Sequence, residues 1–234
     1  MIDHVGIRVA DRGASERFYD TVLSVLGLER YDDPEYAEWG DFALGTDGPV
    51  TRNLHVAFYA PTHALVDAFH RAGVAAGYED AGAPGPRPQY RDDYYGAFLR
   101  DPDGNSVEAV HTGRKLETGA IDHLWLRTSD VAAVKAFYLA TGHQLGVDEP
   151  DHVQVLTDGG SVSYVSGTPV TEHVHIAFSA PTNAAVDAFH AAATEAGYKD
   201  NGAPGERAVY HPGYYGAFVF DPDGHNVEAV NHNR

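Results

Sequence analysis

The chain has 234 residues, 43% of them hydrophobic, and carries 34 acidic against 16 basic side chains for a formal net charge of −18. That is enough apolar material for one or two ordinary domains, and the acidic balance argues against nucleic acid or an anionic membrane as partner. No cysteine is present, which excludes disulfides, thiolate metal sites and cysteine nucleophiles.

Fourteen histidines against three lysines suit a protein whose sites use imidazole. The opening MIDHV is already strand-like, with no basic and apolar leader, and no run is long enough to span a bilayer. A cytoplasmic protein acting on a small molecule, as monomer or homodimer, with no nucleic-acid or membrane partner, is the expectation.

Taken in order, IDHVGIRV alternates as a strand, and SERFYDTVLSVLG follows with apolar residues at helical spacing until Gly27. Several short strands are expected to about Val50, then a strand LHVAFYA. A second helix, THALVDAFHRAG, has Thr62 as its N-cap. The stretch closes on YYGAFLRDPDGNSVEAV, Tyr94 to Val110, in which DPDG supplies hairpin chemistry: Pro102 presets φ and Gly104 tolerates φ > 0. Glu108 then stands inside an otherwise apolar strand and needs a partner.

The whole pattern recurs. IDHVGIRVAD (2–11) returns as IDHLWLRTSD (121–130), APTHALVDAFH as APTNAAVDAFH, and the closing stretch as YYGAFVFDPDGHNVEAV from Tyr214 to Val230. The offset is 119 at the start (123 − 4) and 120 later (228 − 108), so one residue is gained in the second copy. A tandem duplication follows, with domains at 1–112 and 120–234 joined by the polar linker GRKLETG (113–119). Within each copy the order of strands and helices indicates an α+β fold. His70 and His190, at the edge of apolar helix stripes, read as surface or packing residues.

Alternate residues of a strand share a face. Val5, Ile7 and Val9 oppose His4, Gly6 and Arg8, and Leu124 and Leu126 oppose His123, Trp125 and Arg127. Val56 and Phe58 oppose His55, while Ile176 and Phe178 oppose His175. Val107 and Ala109 oppose Glu108, and Val227 and Ala229 oppose Glu228. If the apolar sets meet the helices, two imidazoles and a carboxylate gather on the other face in each copy. That is the donor set of a 2-His-1-carboxylate metal site with open positions. Arg8 and Arg127 share this face and can receive a substrate carboxylate or phosphate, or pair with a neighbouring acid.

These residues resemble the vicinal oxygen chelate superfamily, which includes glyoxalase I, extradiol dioxygenases, fosfomycin-resistance enzymes and bleomycin-binding proteins. The resemblance rests on DHVGIRVAD with FYDTVLSVLGL, on HVAFYAP and on YYGAFLRDPDGNSVEAV, and covers nearly the whole chain twice. It implies paired βαβββ modules forming a cupped mixed sheet around a divalent metal, with helices on the outer face. It also implies His4, His55 and Glu108 as ligands of one site and His123, His175 and Glu228 as ligands of the other. Fe(II), Mn(II), Ni(II) or Zn(II) is the implied cofactor, and dioxygenase or lyase and isomerase chemistry the implied activity. The glutamate that glyoxalase I uses as a fourth ligand is absent from DFALGTDGPV (41–50) and SVSYVSGTPV (161–170), which leaves three protein ligands per site. Tyr94, Tyr95, Tyr214 and Tyr215 are the candidate catalytic hydroxyls. The rival class is a drug-sequestering protein without turnover, and exchange of modules between the two copies is open.

Overall fold

The computed structural model describes residues 1–233. The chain is four consecutive βαβββ modules. The first has β1 (Ile2–Arg8), α1 (Arg12–Leu23), β2 (Arg30–Asp32), β3 (Tyr36–Trp39) and β4 (Phe42–Gly45). The second has β5 (His55–Tyr59), α2 (His63–Ala75), β6 (Asp80–Pro86), β7 (Tyr95–Arg100) and β8 (Ser106–His111). The third has β9 (Ile121–Thr128), α3 (Val131–Ala140), β10 (Leu145–Glu149), β11 (His152–Leu156) and β12 (Ser161–Ser166). The last has β13 (His175–Ser179), α4 (Asn183–Glu195), β14 (Asp200–Glu206), β15 (Tyr215–Phe220) and β16 (Asn226–Asn231). This is the expected α+β architecture, and no helix among the described residues is long and apolar enough to cross a membrane.

Local chemistry explains the helix starts. The side chains of Asp11, Thr62, Asp130 and Thr182 each accept the backbone N–H three residues on, satisfying a donor that an open helix end would leave unpaired. His70 Nε2 meets Asp80 Oδ1 at 2.9 Å, and His190 meets Asp200 at 2.9 Å, so each repeated histidine pins its helix to the following strand. That strand, DAGAPGP or DNGAPGE, is rich in glycine and proline, and its pairing is broken by bulges, as for any strand where proline removes ladder donors.

Two compact units form: Gly6–Trp125, and Met1–Val5 together with Leu126–Arg234. Their boundaries fall inside β1 and β9. In the first, the strands run β9-β5-β8-β7-β6, with β5 and β8 parallel and the other pairs antiparallel. Phe18, Tyr19, Phe42 and Phe58 make a chain of ring contacts at 4.8–5.3 Å and are fully buried. In the second unit the strands run β14-β15-β16-β13-β1, with β13 and β16 parallel. Phe137, Tyr138, Tyr164 and Phe178 fill the matching core there.

The DPDG hairpins show how one substitution alters a buried polar network. In the first, Asp101 Oδ1 accepts the N–H groups of Asp103 and Asn105, and Gly104 sits at φ 85°. Asn105 closes the knot: Nδ2 donates to Asp101 Oδ2 at 3.0 Å and Oδ1 accepts from Leu54 N–H. In the second hairpin His225 replaces that asparagine. Its Nδ1 accepts from Val174 N–H, but Asp221 loses the amide donor, and burial pushes Asp221 up to about 7 despite the remaining hydrogen bonds. Burial likewise depresses His225 to about 4.

A raised carboxyl stabilises the fold below its unfolded pKa and loses that contribution as pH climbs from about 4 to 7. A depressed imidazole loses its contribution as pH falls from 6.5 to about 4. The two slopes oppose each other, so the hairpin is strained throughout the window. His225→Asn restores the amide bond and is expected to add about 1 kcal/mol from acid to neutral pH, read by urea denaturation; a loss of stability contradicts it.

Candidate metal centres

The unit boundaries decide which histidines meet. In the Gly6–Trp125 unit, Glu108 on β8 and His123 on β9 both lie opposite Ala57 of β5, and His55 lies two residues before it on the same face. Ala57 is fully buried and small enough to let the two longer side chains converge over it. Glu108 Oε2 stands 3.0 Å from His55 Nε2 and 3.7 Å from His123 Nε2. In the Met1–Val5/Leu126–Arg234 unit, Glu228 Oε2 stands 3.2 Å from His175 Nε2 and 3.6 Å from His4 Nε2. The two imidazole nitrogens there are 3.0 Å apart.

The six residues expected from the sequence therefore gather as two groups, with one correction. His4 joins His175 and Glu228 rather than His55 and Glu108, and His123 joins His55 and Glu108 rather than His175 and Glu228. The physical reason is strand order: β1 follows β13, and β9 follows β5.

Outer contacts fix the tautomer of the β1 and β9 histidines, whose Nδ1 atoms face carboxylates. His4 Nδ1 lies 2.9 Å from Asp3, His55 Nδ1 2.9 Å from Ser106 Oγ, and His123 Nδ1 2.9 Å from Asp122. His175 differs: its Nδ1 lies 3.2 Å from the Asn226 carbonyl but accepts from the Asn226 side-chain amide at 2.8 Å, so its proton sits on Nε2, 3.0 Å from His4 Nε2. On His4 and His123 the proton held on Nδ1 leaves Nε2 as an acceptor. On the glutamates, Tyr94 and Tyr214 hydroxyls donate to Oε1 at 2.7 Å each. Glu108 and Glu228 are 1% and 0% exposed, and Oε2 of each has no hydrogen-bond partner.

A buried carboxylate oxygen without a hydrogen bond, faced by two imidazole nitrogens, is costly unless a cation completes it. Two nitrogens and one oxygen are the donor set of Fe(II), Mn(II), Ni(II) or Zn(II). The residues fit a divalent ion.

The carboxylates are pressed against bare backbone. A Cβ added at Gly96 would collide with Glu108 Oε1, and one at Gly216 would come 2.5 Å from Glu228 Oε1. Gly96→Ala is thus expected to displace Glu108 and weaken metal binding at that group about tenfold or more. Binding titrations in the variant, with Glu228 unaltered as internal reference, check it.

Burial and the nearby glutamate push the Tyr94 and Tyr214 phenols well above their usual range, so both keep their protons and serve as donors. Tyr95 and Tyr215, expected beside them, point the other way. Their hydroxyls donate to Asp67 on α2 and Asp187 on α4 at 2.8 Å, because neighbouring strand residues alternate faces.

Arg8 is committed to Asp47, Nε to Oδ1 at 2.5 Å. At the corresponding place in the second copy stands Gly167, packed on Arg127, whose Nε is buried without a hydrogen-bond partner.

Two carboxylates beside these groups escaped the face analysis: Asp3 and Asp122, each preceding its histidine. Burial would raise both, yet the histidine hydrogen bonds outweigh it and hold Asp3 at about 2 and Asp122 below its usual range. The twice-repeated Asp-His pair was the available signal. A third group, Asp221, Asp223 and His225, also brings potential ligand atoms together. There His225 Nδ1 accepts a backbone N–H, which leaves Nε2 protonated and turns a would-be ligand into a donor.

Comparison with known proteins agrees with this architecture. The family model described as Glyoxalase/Bleomycin resistance protein/Dioxygenase superfamily matches residues 1–109 and 120–229. The chain belongs to this superfamily. Glyoxalase I from Zea mays is 20% identical, with a TM-score of 0.68 over 99% of this chain and 92% of that one. A putative dioxygenase from Bacillus subtilis subsp. subtilis str. 168 is 13% identical, with a TM-score of 0.65 over 100% of this chain and 85% of that one. At these identities the likeness is one of fold. A glyoxalase/bleomycin resistance protein from Albidiferax ferrireducens T118 is 33% identical over 47% of this chain and 98% of its own, with a TM-score of 0.44. No curated protein matches the chain.

Proposed function

We propose that this member of the superfamily is a metal-dependent enzyme with two three-ligand divalent centres, one at His55, Glu108 and His123 and one at His4, His175 and Glu228. The observation that carries the reading is the pair of buried glutamate oxygens without hydrogen bonds, each faced by two imidazole nitrogens. A divalent ion held there supplies Lewis acidity to adjacent oxygens of a small chelating substrate. The residues do the rest. Tyr94 and Tyr214 hold one glutamate oxygen so that only the other points inward. Asp3 and Asp122 fix the tautomer of the β1 and β9 histidines. No glutamate stands on β4 or β12, which keeps the protein donors at three and leaves positions for substrate. Arg127 is the proposed anchor for a substrate carboxylate or phosphate.

Both triads are intact, which a purely sequestering pocket has no need of. The test is elemental analysis of protein purified without added metal, followed by chelation. Close to two divalent ions per chain, and chelator-sensitive turnover of oxygen-chelating substrates, are expected. Metal-free protein that binds none on reconstitution sinks the reading, and ligand binding indifferent to chelator returns the sequestering alternative. Iron would point to oxygen chemistry, nickel or zinc to isomerase or lyase chemistry.

A further inference from the structure

The two centres have the same ligand types but differ in what stands behind one histidine of each. His55 on β5 and His175 on β13 hold the same register position, and the residue paired with each on the parallel neighbour differs: Ser106 beside His55, Asn226 beside His175. Ser106 Oγ lies 2.9 Å from His55 Nδ1, and a hydroxyl donates or accepts by turning about one bond. Asn226 offers His175 Nδ1 its amide nitrogen at 2.8 Å, and an amide nitrogen only donates. The amide oxygen of Asn226 is engaged as well, accepting from Asn201 Nδ2 at 2.9 Å. In the first copy Ala81 stands where the second has Asn201.

Two independent contacts then place the hydrogen of the neutral His175 ring. On one side, the Asn226 amide requires a bare Nδ1. On the other, His4 keeps its own hydrogen on Nδ1 toward Asp3, so its Nε2 accepts. The 3.0 Å contact between the two Nε2 atoms therefore takes its hydrogen from His175. Both contacts give the same tautomer, with the hydrogen on the atom that would ligate. His55 is held less firmly. Ser106 serves either tautomer, and the His55 ring stands 5.4 Å from that of His123, against 5.0 Å between His175 and His4.

We propose that Asn226, backed by Asn201, is a positioning residue that holds His175 in the tautomer closed to a metal, so that the two centres are unequal and the one at His55, Glu108 and His123 fills first. The inference rests on the metal reading above. For His175 Nε2 to become a ligand, its hydrogen must pass to Nδ1, where the Asn226 amide nitrogen already points a donor. The backbone carbonyl of Asn226, 3.2 Å from Nδ1, can accept that hydrogen, but the amide beside it must turn. Turning presents the amide oxygen to His175 and the amide nitrogen to Asn201, whose own amide must then turn too or lose its bond. The hydrogen bond between His175 and His4 is given up as well. His55 needs no more than the rotation of one hydroxyl. The His175 ring is neutral before and after, so the difference is one of affinity and not of net proton release.

The test separates the centres. Glu108→Gln leaves only the centre of His4, His175 and Glu228, and Glu228→Gln only that of His55, Glu108 and His123. Mn(II) titrations of both variants at one pH, followed by the EPR signal of the free ion, are expected to show the His175 centre binding about tenfold more weakly. In the Glu108→Gln background, Asn226→Ser installs the residue of the other copy and should remove most of that difference. Asn201→Ala, which touches no ligand, should remove part of it. Equal affinities in the two backgrounds, or a difference that Asn226→Ser leaves in place, overturn the proposal. In parallel, ¹⁵N–¹H correlation spectra of the imidazoles in metal-free protein should show His175 protonated on Nε2; a hydrogen on Nδ1 overturns it. Absence of Mn(II) uptake in both backgrounds overturns the metal reading and the positioning role with it, and the ring spectra, which need no metal, tell that failure apart from a wrong tautomer.

Discussion

Glu108→Gln is expected to remove one of the two divalent ions per chain while leaving the metal-free protein as stable as its parent, or more so. Structural zinc sites are worth roughly 10–16 kcal/mol, or about 2.5–4 kcal/mol for each of four ligands. Losing one ligand of three should weaken binding by a factor of about 10²–10³. Stability moves the other way. In the metal-free protein Glu108 is buried with Oε2 unpaired, a defect of about 1–3 kcal/mol. Glutamine keeps an oxygen for the Tyr94 hydroxyl and turns an amide N–H₂ toward the Nε2 atoms of His55 and His123, which lie within 3.7 Å of the oxygen it replaces. Elemental analysis and urea denaturation in chelator, run on the same preparation, read the two effects. Unchanged metal content would contradict the ligand assignment, and a large loss of stability would make Glu108 a structural residue. This opposition between stability and ligation is the usual mark of a site kept for function.

Much of this was legible because strands alternate. The period of two in IDHVGIRV, LHVAFYA and NSVEAV put His4, His55 and Glu108 on the face away from the apolar core, and their twins likewise. The duplication, the DPDG turns and the Thr62 cap were equally readable, since each is decided within a few residues. What could not be read was which strand lies beside which. Periodicity is local, whereas the neighbour of β1 is chosen by packing across 171 residues from His4 to His175. The expected triads were therefore assembled from the right residues in the wrong company.

Tyr95 failed for a related reason. Tyr94 and Tyr95 are adjacent, and only register tells which turns to Glu108 and which to Asp67. Asp3 and Asp122 were missed because alternation assigns them the face opposite their histidines, and bonds between adjacent side chains, such as Asp3 to His4, are invisible to a face diagram. β6 was hidden by its composition, since DAGAPGP argues for a loop and becomes a strand only through its pairing with β7.

The exchange of β1 and β9 predicts an outcome that the order of the sequence would not. His4→Ala should cost the ion shared with His175 and Glu228 and spare the one at His55 and Glu108, although His4 and His55 belong to the same repeat. Pairwise substitution makes the assignment decisive. His4→Ala with Glu228→Gln removes two ligands of one centre, so the double variant should still hold about one ion per chain, and its loss should be strongly non-additive. His4→Ala with Glu108→Gln strikes both centres, so the metal content should fall to near zero. The reciprocal pairs follow by symmetry: His123→Ala is redundant with Glu108→Gln and compounds with Glu228→Gln. If instead His4→Ala proved redundant with Glu108→Gln, each repeat would assemble its own centre and the exchanged arrangement would be wrong. Metal per chain takes whole-number steps, so elemental analysis of four variants distinguishes the two topologies without knowledge of the metal, the substrate or the reaction.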